Sequence, residues 1–198
     1  MPPLRQYTKT IILNAAFEQL RKDGMESLSA RSIAKQLGSS TQPVYSAYKT
    51  MDDLKHDIRN KAREFNLNFL MQEGSTNDAF LNIGMQYLRF MQYERQLFKL
   101  LYLDGSDSPD FVSAPFPDKL IEQMRKQNYL SQLNNESLSR LLSNMQIYTH
   151  GLATMIFSGL MPYDENHVCE LLSKMGEILV THEISETCKL TNRNHFNK

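Results

Sequence analysis

Residues 29–48 decide the fold, and they read SARSIAKQLGSSTQPVYSAY. Apolar residues recur at helical spacing in the first half, so we predict a short helix that opens at Ser29. The helix ends at Gly38, because glycine readily adopts the positive φ of a C-terminal cap. Pro43 is tolerated only in the first turn of a helix, where its missing amide would be unpaired anyway. The stretch therefore predicts two short helices joined by the tight turn Leu37–Ser40, and the serine and threonine after Gly38 can cap the second of them.

A further helix precedes this pair. It begins near Thr8, and the sequence Lys22-Asp23-Gly24 ends it. Three short helices with a tight glycine turn between the second and third meet the requirements of a helix-turn-helix, which exposes one helix to the major groove of DNA. The same cap chemistry occurs in any three-helix packing, so the turn alone does not establish DNA binding.

Helical periodicity dominates the rest of the chain, and no alternating strand pattern is present. We therefore predict an all-α fold, with an N-terminal helix-turn-helix domain followed by a helical bundle. Asp104–Pro117 holds three prolines and is predicted to be a loop. The predicted helices cover about 8–23, 29–37, 40–48, 50–72, 76–93, 95–103, 117–129, 136–160 and 164–187.

The composition is that of an ordinary globular protein: of 198 residues, 41% are hydrophobic and 22% are charged. The first residues lack the apolar core of a signal peptide, so we expect a cytoplasmic protein. The longest apolar run, between Gly151 and Met161, is shorter than the ~20 residues that a membrane span needs, and no span is expected. Cys169 and Cys188 are expected to be reduced thiols, because they have neither a secretory context nor metal-site spacing.

The net charge is zero, but the charges are unevenly spread. Residues 1–64 hold eleven Lys or Arg against seven Asp or Glu, and the remainder holds eleven against fifteen. An excess of cations in the N-terminal part suits a nucleic-acid binder, although an excess of this size also arises by chance on a mixed surface. The cations placed near the third helix are Arg31, Lys35, Lys49, Lys55 and Arg59.

A set of small, apolar and capping residues runs through the first three helices: Ile12–Ala16, Gly24, Ser29, Ile33, Ala34, Gly38–Ser40, Tyr45 and Tyr48. Over roughly residues 8 to 60, and without a gap, this set resembles the N-terminal domain of the TetR family of repressors. The resemblance implies an Ω-shaped, all-α homodimer that binds a palindromic operator in double-stranded DNA, and a small-molecule effector that lowers its DNA affinity. It divides the chain into a DNA-binding domain at 1–50, a ligand-binding and dimerisation domain at 51–188 and a polar tail at 189–198. One position departs from the family, which commonly has a lysine where this chain has Met51.

The third helix is expected to contact DNA with its exposed side, while Val44 and Tyr48 face the core. Gln42 is the expected base reader, because its amide both donates to and accepts from an adenine edge. Lys49 and the hydroxyl groups around it suit phosphates, and Arg31 suits either a phosphate or a guanine. The full set of predicted DNA-binding residues is Arg31, Ser40, Thr41, Gln42, Pro43, Tyr45, Ser46 and Lys49.

Methionines and aromatic residues are plentiful from Met85 to Phe157, and core packing alone explains most of them. The resemblance implies a cavity in the C-terminal bundle, suited to an uncharged or weakly polar effector. His150 lies in Tyr148–Ala153, which is similar to a His-Gly signature of one branch of the family. It suits a packed or hydrogen-bonded core position, a polar position in the pocket or, less well, a metal site. The residues predicted near the effector are Met85, Phe90, Tyr102, Met124, Tyr148, His150 and Met155.

The last two helices are predicted to form a two-fold dimer interface, because each carries an apolar stripe at helical spacing. An obligate dimer of this kind buries about 2,000 Å² or more. The stripe on the last helix is Val168, Leu171, Leu172, Met175, Leu179 and His182, and the facing stripe includes Leu141, Leu142 and Met145.

Enzyme motifs are missing from the sequence, which has no Gly-x-Ser-x-Gly elbow, no phosphate-binding glycine loop and no His-Glu-x-x-His pair. Paired carboxylates such as Asp52-Asp53 stand at helix starts, where the helix dipole explains them. We therefore predict a DNA-binding transcriptional repressor, released by an effector, that is not an enzyme and needs no cofactor or metal. The alternative is a helical module that binds a ligand or a protein and has lost DNA binding. The cations beside the third helix favour the first interpretation.

Overall fold

The computed structural model describes residues 7–74, 76–104 and 118–195, with side chains as far as residue 187. The described residues form nine α-helices and no strand, which confirms the all-α prediction. Two short 3₁₀ turns and a π-helical segment complete the secondary structure of these residues. The helices are α1 Lys9–Asp23, α2 Ala30–Leu37, α3 Gln42–Ala47, α4 Met51–Leu70, α5 Ala79–Tyr93, α6 Arg95–Phe98, α7 Asp118–Arg125, α8 Asn135–Phe157 and α9 Glu165–His195.

Side-chain caps set several helix starts. The Thr8 hydroxyl accepts from the amide of Ile11 at 3.3 Å, and the Asn134 side chain accepts from the amide of Ser137 at 2.8 Å. At α4, the Thr50 hydroxyl accepts from the Asp53 amide while the Asp53 carboxylate accepts from the Thr50 amide, each at 3.1 Å. Such bonds satisfy first-turn amides that have no partner within the helix, so the helix starts predicted near Thr8 and Thr50 hold.

Three boundaries differ from the sequence prediction. The segment predicted as one helix over 95–103 is α6 followed by a π-helix at Lys99–Leu103. The helix α7 is shorter than predicted, and a separate 3₁₀ turn forms at Asn128–Leu130. The last helix continues to His195, so most of the predicted polar tail is helical. The loop predicted at Asp104–Pro117 lies outside the described residues except for Asp104.

The described residues divide into two compact units. The first contains the residues up to Asn68 together with those from Tyr93 to Asp104, and the second contains 69–92 and the residues from Asp118 onward. The predicted boundary at residue 50 therefore differs from the structural one, which lies near the end of α4. Side-chain contacts explain this difference, because α4 and α6 both pack against α1.

The contacts that hold the first unit together begin at Phe17 and Arg21 of α1. The rings of Phe17 and Phe65 lie 5.8 Å apart, which joins α1 to α4. Arg21 donates through Nε to Glu94 at 2.9 Å and through Nη2 to the other oxygen of the same carboxylate. Glu94 is only 8% exposed, and the Arg21 guanidinium also lies 4.9 Å from the Phe65 ring centroid. A paired, two-pronged arginine contact of this kind fixes orientation as well as distance, so the start of α6 is held against α1.

The second unit is built around the packing of α5, α8 and α9. At Gly84 in α5, an added Cβ would lie 3.2 Å from Leu172 of α9 and 3.7 Å from the Thr149 hydroxyl of α8. A larger residue would push these helices apart, so the glycine permits their close approach. No helix within the described ranges is both long and apolar enough to cross a membrane.

The predicted dimer stripe lies largely inside this unit. Val168 and Leu172 are fully buried, and the facing residues Leu141, Leu142 and Met145 are at most 4% exposed. The prediction that these five residues contact a partner subunit is wrong, because α8 and α9 bury them against each other and against α5 within one protomer. The apolar residues that α8 and α9 do expose are Ile147, Met155, Ile178 and Ile184, with exposures of 53%, 40%, 63% and 37%.

Candidate nucleic-acid interface

The turn between α2 and α3 has the predicted glycine geometry. Gly38 adopts the left-handed conformation, with φ 63° and ψ 37°. The amides of Gly38 and Ser39 donate to the carbonyl oxygens of Lys35 and Ala34 at 3.2 and 2.9 Å. These bonds close the last turn of α2 and send the chain into α3, so they set the angle between the two helices.

The start of α3 differs from the prediction in its capping. Thr41 stands at the N-cap with φ −73° and ψ −13°, and its side chain makes no cap hydrogen bond. The expected serine or threonine cap of this helix is therefore wrong. Pro43 stands in the first turn as predicted, where its fixed φ favours the helix without the loss of an amide partner. Proline rather than a hydroxyl cap starts this helix.

The inner face of α3 is anchored in the core of the first unit. Val44 and Tyr48 are 1% and 4% exposed, which confirms that they face inward. The Tyr48 hydroxyl donates to Asp57 of α4 at 3.2 Å, and the Lys9 ammonium of α1 lies 2.8 Å from the same carboxylate. Lys9 also lies 4.8 Å from the centroid of the Tyr48 ring. The C-terminal end of α3 is thus tied to both α1 and α4.

In this contact among Lys9, Tyr48 and Asp57, the positive charge of Lys9 is paired with the negative charge of Asp57. The Lys9 ammonium lowers the pKa of the Asp57 carboxyl, with a smaller contribution from the Tyr48 hydroxyl. Burial and the nearby carboxylate raise the pKa of Tyr48 above its usual range, so its proton stays on the hydroxyl. Sequence reasoning missed Lys9 and Asp57, because no local pattern pairs residues that are so far apart in the chain.

The outer face of α3 is exposed and polar. Tyr45 is 57% exposed, and Gln42, Ser46 and the preceding Ser40 are exposed as well. Gln42, Tyr45 and Ser46 stand at positions i, i+3 and i+4, so they share one side of the helix. Thr41 and Pro43 are partly buried at its start. An amide and two hydroxyl groups are thus displayed together on a helix whose opposite side is fixed.

Cations flank this face. Arg31, Lys35 and Lys49 are exposed, and none of them forms an ion pair with a residue that the structure describes. Lys55 instead lies 3.5 Å from the carboxylate of Asp52, one turn earlier in α4. Met51, the neutral residue at the start of α4, is partly buried. Three cations are therefore available to an anionic partner, and they come from α2 and from the segment after α3.

The residues predicted near an effector do not share one environment. Met85, Phe90 and Met124 are fully buried in the second unit, whereas Tyr148 and His150 are partly buried. Two further predicted residues differ from these in exposure or in the unit to which they belong. Met155 is 40% exposed, and Tyr102 belongs to the first unit, where its hydroxyl accepts from Asn66 Nδ2 at 2.6 Å.

His150 takes part in a hydrogen bond within the second unit. Its Nδ1 lies 2.9 Å from the hydroxyl of Tyr87 in α5, and the two rings meet edge to face. Burial lowers the pKa of the His150 imidazole, which favours the neutral ring at pH 7. Of the roles that the sequence leaves open, this geometry is that of a hydrogen-bonded histidine linking α8 to α5.

The outer face of α3 and the exposed cations of α2 and of the segment after α3 offer an amide, hydroxyls and positive charges, which donate and accept hydrogen bonds and attract anions. Within the described ranges, no three His, Cys, Asp or Glu side chains are grouped so that they could hold a metal ion. Comparison of the sequence with models of protein families and with curated proteins gives no match.

Proposed function

We propose that this chain is a sequence-specific, DNA-binding transcriptional regulator of the TetR family, which represses as a homodimer and leaves its operator when a small-molecule effector binds. The observation that carries the proposal is the two-sided character of α3. Its inner residues Val44 and Tyr48 are buried and anchored, while Gln42, Tyr45 and Ser46 are displayed on the outside. A short helix held in this way after a tight turn suits insertion into the major groove.

Base recognition is assigned to Gln42. Its exposed amide stands in the first turn of α3, and the N-terminal residues of a recognition helix are those that meet base edges. The Gln42 amide pairs well with adenine in the major groove, because its NH2 group donates to N7 and its carbonyl oxygen accepts from the N6 amino group. We expect this contact to contribute roughly 1 to 3 kcal/mol of discrimination between bases.

Phosphate contacts are assigned to Lys49, Tyr45 and Ser40, with Arg31 at the start of α2 able to reach a phosphate or a guanine. These contacts position the module without reading sequence. Met51 carries no charge, so it adds no cation where the family commonly has a lysine. The complex is accordingly expected to depend on salt less steeply than one with a lysine at that position, unless Lys49 substitutes for it.

Dimerisation is expected to use the apolar residues that α8 and α9 leave exposed, Ile147, Met155 and Ile178. Two copies related by a two-fold axis would present two recognition helices to the half-sites of a palindrome. An effector releases DNA only if it prefers the conformation in which the spacing of these helices does not fit the half-sites. Equal affinity for both conformations would leave their equilibrium unchanged.

The base-reading role is tested with the full-length protein and duplexes from the DNA upstream of its own coding sequence, by fluorescence anisotropy. Gln42→Ala should bind the operator and a base-substituted operator with similar affinity, because the discriminating amide is gone. Gln72→Ala makes the same chemical change at an exposed position of the second unit and should bind like the wild type. Unchanged affinity and base preference in Gln42→Ala would remove Gln42 from the base-reading role.

The phosphate role is tested by the salt dependence of the same binding reaction. Lys49→Ala should reduce the slope of log affinity against log salt by about 1, with base preference retained. Lys174→Ala removes an exposed cation from α9 and should leave the slope unchanged. If the wild-type protein bound its upstream DNA no better than a scrambled duplex, the proposed function itself would be wrong.

A further inference from the structure

A cleft of about 470 Å³ lies within the second unit. One wall is the start of α5, and the other is the middle of α9. Met145 of α8 and Tyr129 of the 3₁₀ turn complete it. Its lining residues are Asp78, Phe80, Leu81, Tyr129, Met145, Leu172, Ser173, Gly176, Glu177, Val180 and Thr181. A volume of this size falls in the range of small-molecule sites.

The lining is apolar at its base and acidic at its edge. Phe80, Met145 and Leu172 are at most 4% exposed and provide an apolar floor. Asp78 is partly buried and Glu177 is exposed. No Lys, Arg or His is among the residues that line the cleft. An occupant therefore meets apolar surface and a negative potential, without a lining cation to balance the carboxylates.

One of the carboxylates is fixed in place. Asp78 Oδ1 accepts from the amides of Phe80 and Leu81 at 2.8 and 3.0 Å, which caps α5. Asp78 Oδ2 accepts from the Tyr129 hydroxyl at 2.7 Å, and burial together with this carboxylate raises the pKa of Tyr129. The Asp78 carboxylate is therefore fixed by its three hydrogen bonds, whereas no described residue forms a hydrogen bond or an ion pair with the exposed Glu177 side chain. Glu177 is the group with freedom to close on an occupant.

Most of the α9 residues that line the cleft lie on a different side of the helix from exposed Ile178. Ser173, Glu177 and Val180 stand at i, i+4 and i+7 on α9 and share one side of it. Leu171 and Ile178 are seven residues apart and lie roughly half a turn away from Ser173, at about 100° per residue. Thr181 stands three residues after Ile178 and shares its side of α9, so the edge of the cleft borders the surface around Ile178.

We propose that the cleft binds a small organic cation with an apolar body and a primary ammonium group. The body would be buried against Phe80, Met145 and Leu172, which removes apolar surface from water. The ammonium would remain at the edge, where the Glu177 carboxylate and the Ser173 and Thr181 hydroxyls could accept its hydrogen bonds. A neutral head group would lack this attraction, and an anionic head group would be repelled by the carboxylates.

The test uses three probes that share one body and differ in head-group charge: 4-phenylbutylamine, 4-phenylbutan-1-ol and 4-phenylbutanoate. Each is titrated calorimetrically into the full-length protein at pH 7, where the amine is protonated. The amine should bind at least about threefold more tightly than the alcohol, and the carboxylate should bind most weakly. Equal affinity for amine and alcohol would overturn the proposal, as would tighter binding of the carboxylate.

Variants locate the binding on the protein. Glu177→Gln should weaken the amine about threefold and leave the alcohol unchanged, because only the charge is removed. Glu170→Gln makes the same change at an exposed position of α9 outside the cleft, and it should bind all three probes like the wild type. Gly176→Leu should fill the cleft and abolish binding of both amine and alcohol, with its fold checked by circular dichroism. If Glu170→Gln and Glu177→Gln weakened the amine equally, binding would be general attraction and the proposed site would be wrong. These measurements need no DNA, so their outcome is independent of the DNA-binding proposal.

Discussion

Gly38 sets the turn between α2 and α3 through one backbone conformation. At φ 63° and ψ 37°, a side chain with a branched Cβ is strained even though nothing lies within 4 Å of an added Cβ. We expect Gly38→Val to lower the free energy of unfolding by about 1 to 2 kcal/mol or more. Gly38→Asn should cost less, because asparagine tolerates this conformation.

Urea unfolding followed by circular dichroism measures both Gly38 variants at one protein concentration. The comparison isolates backbone strain, because both substitutions add a side chain to the same open position. Equal unfolding midpoints for the valine and asparagine variants would mean that the turn relaxes, and that Gly38 does not fix the angle between α2 and α3.

Residue-scale features were predictable where their cause is local. Ser29 as a cap, Gly38 as a stop and Val44 as a buried position all follow from neighbours within one or two turns, and each is found in the structure. The anchor between Lys9 and Asp57 was not predictable, because a contact between distant residues depends on how helices pack. The DNA-contact and effector residues remain predictions at this scale.

At the scale of elements, the ion pair of Arg21 with Glu94 joins α1 to α6. Arg21→Leu would leave a carboxylate that is 8% exposed without its partner, and should lower the free energy of unfolding by about 1 to 3 kcal/mol. The double variant Arg21→Leu/Glu94→Leu should recover much of that loss, because no unpaired charge stays buried. Glu18→Gln removes the exposed partner of Arg21 and should cost no more than about 0.5 kcal/mol.

A double-mutant cycle in urea unfolding measures this coupling. Additive effects of the two single leucine variants would show that Arg21 and Glu94 act independently. The helix α6 would then be held to α1 by packing alone, and the link between these elements would have to be sought at the Phe17 and Phe65 rings.

Hydrophobic periodicity predicted where the helices lie but not what covers each apolar face. Val168 and Leu172 recur at helical spacing whether their cover is the same protomer or a second one, so the sequence could not separate the two cases. The end of α9 was also missed, because the polar residues beyond Thr187 give no apolar stripe to follow. The change from α6 to a π-helix at Lys99 has no signal in the local sequence that we can identify.

At the scale of the whole molecule, a dimer through α8 and α9 predicts a mass of twice 23.0 kDa in solution. Ile178→Glu places a charge on an apolar residue that is 63% exposed, and should convert the dimer into a monomer. Tyr93→Glu makes a similar change at a residue that is 73% exposed at the end of α5, and should remain dimeric. Sedimentation velocity separates these outcomes, and a wild-type monomer at micromolar concentration would contradict the dimer.

The burial of Val168 and Leu172 inside one protomer has a genetic consequence. In the proposed dimer, a subunit whose core is complete by itself need not unfold when it leaves its partner, so subunits made from two alleles should mix. A subunit with an impaired recognition helix would then form dimers with wild-type subunits. Each such dimer would have only one functional recognition helix. Such an allele should be dominant in a cell that also carries the wild-type gene, and the Ile178→Glu change in the same allele should make it recessive.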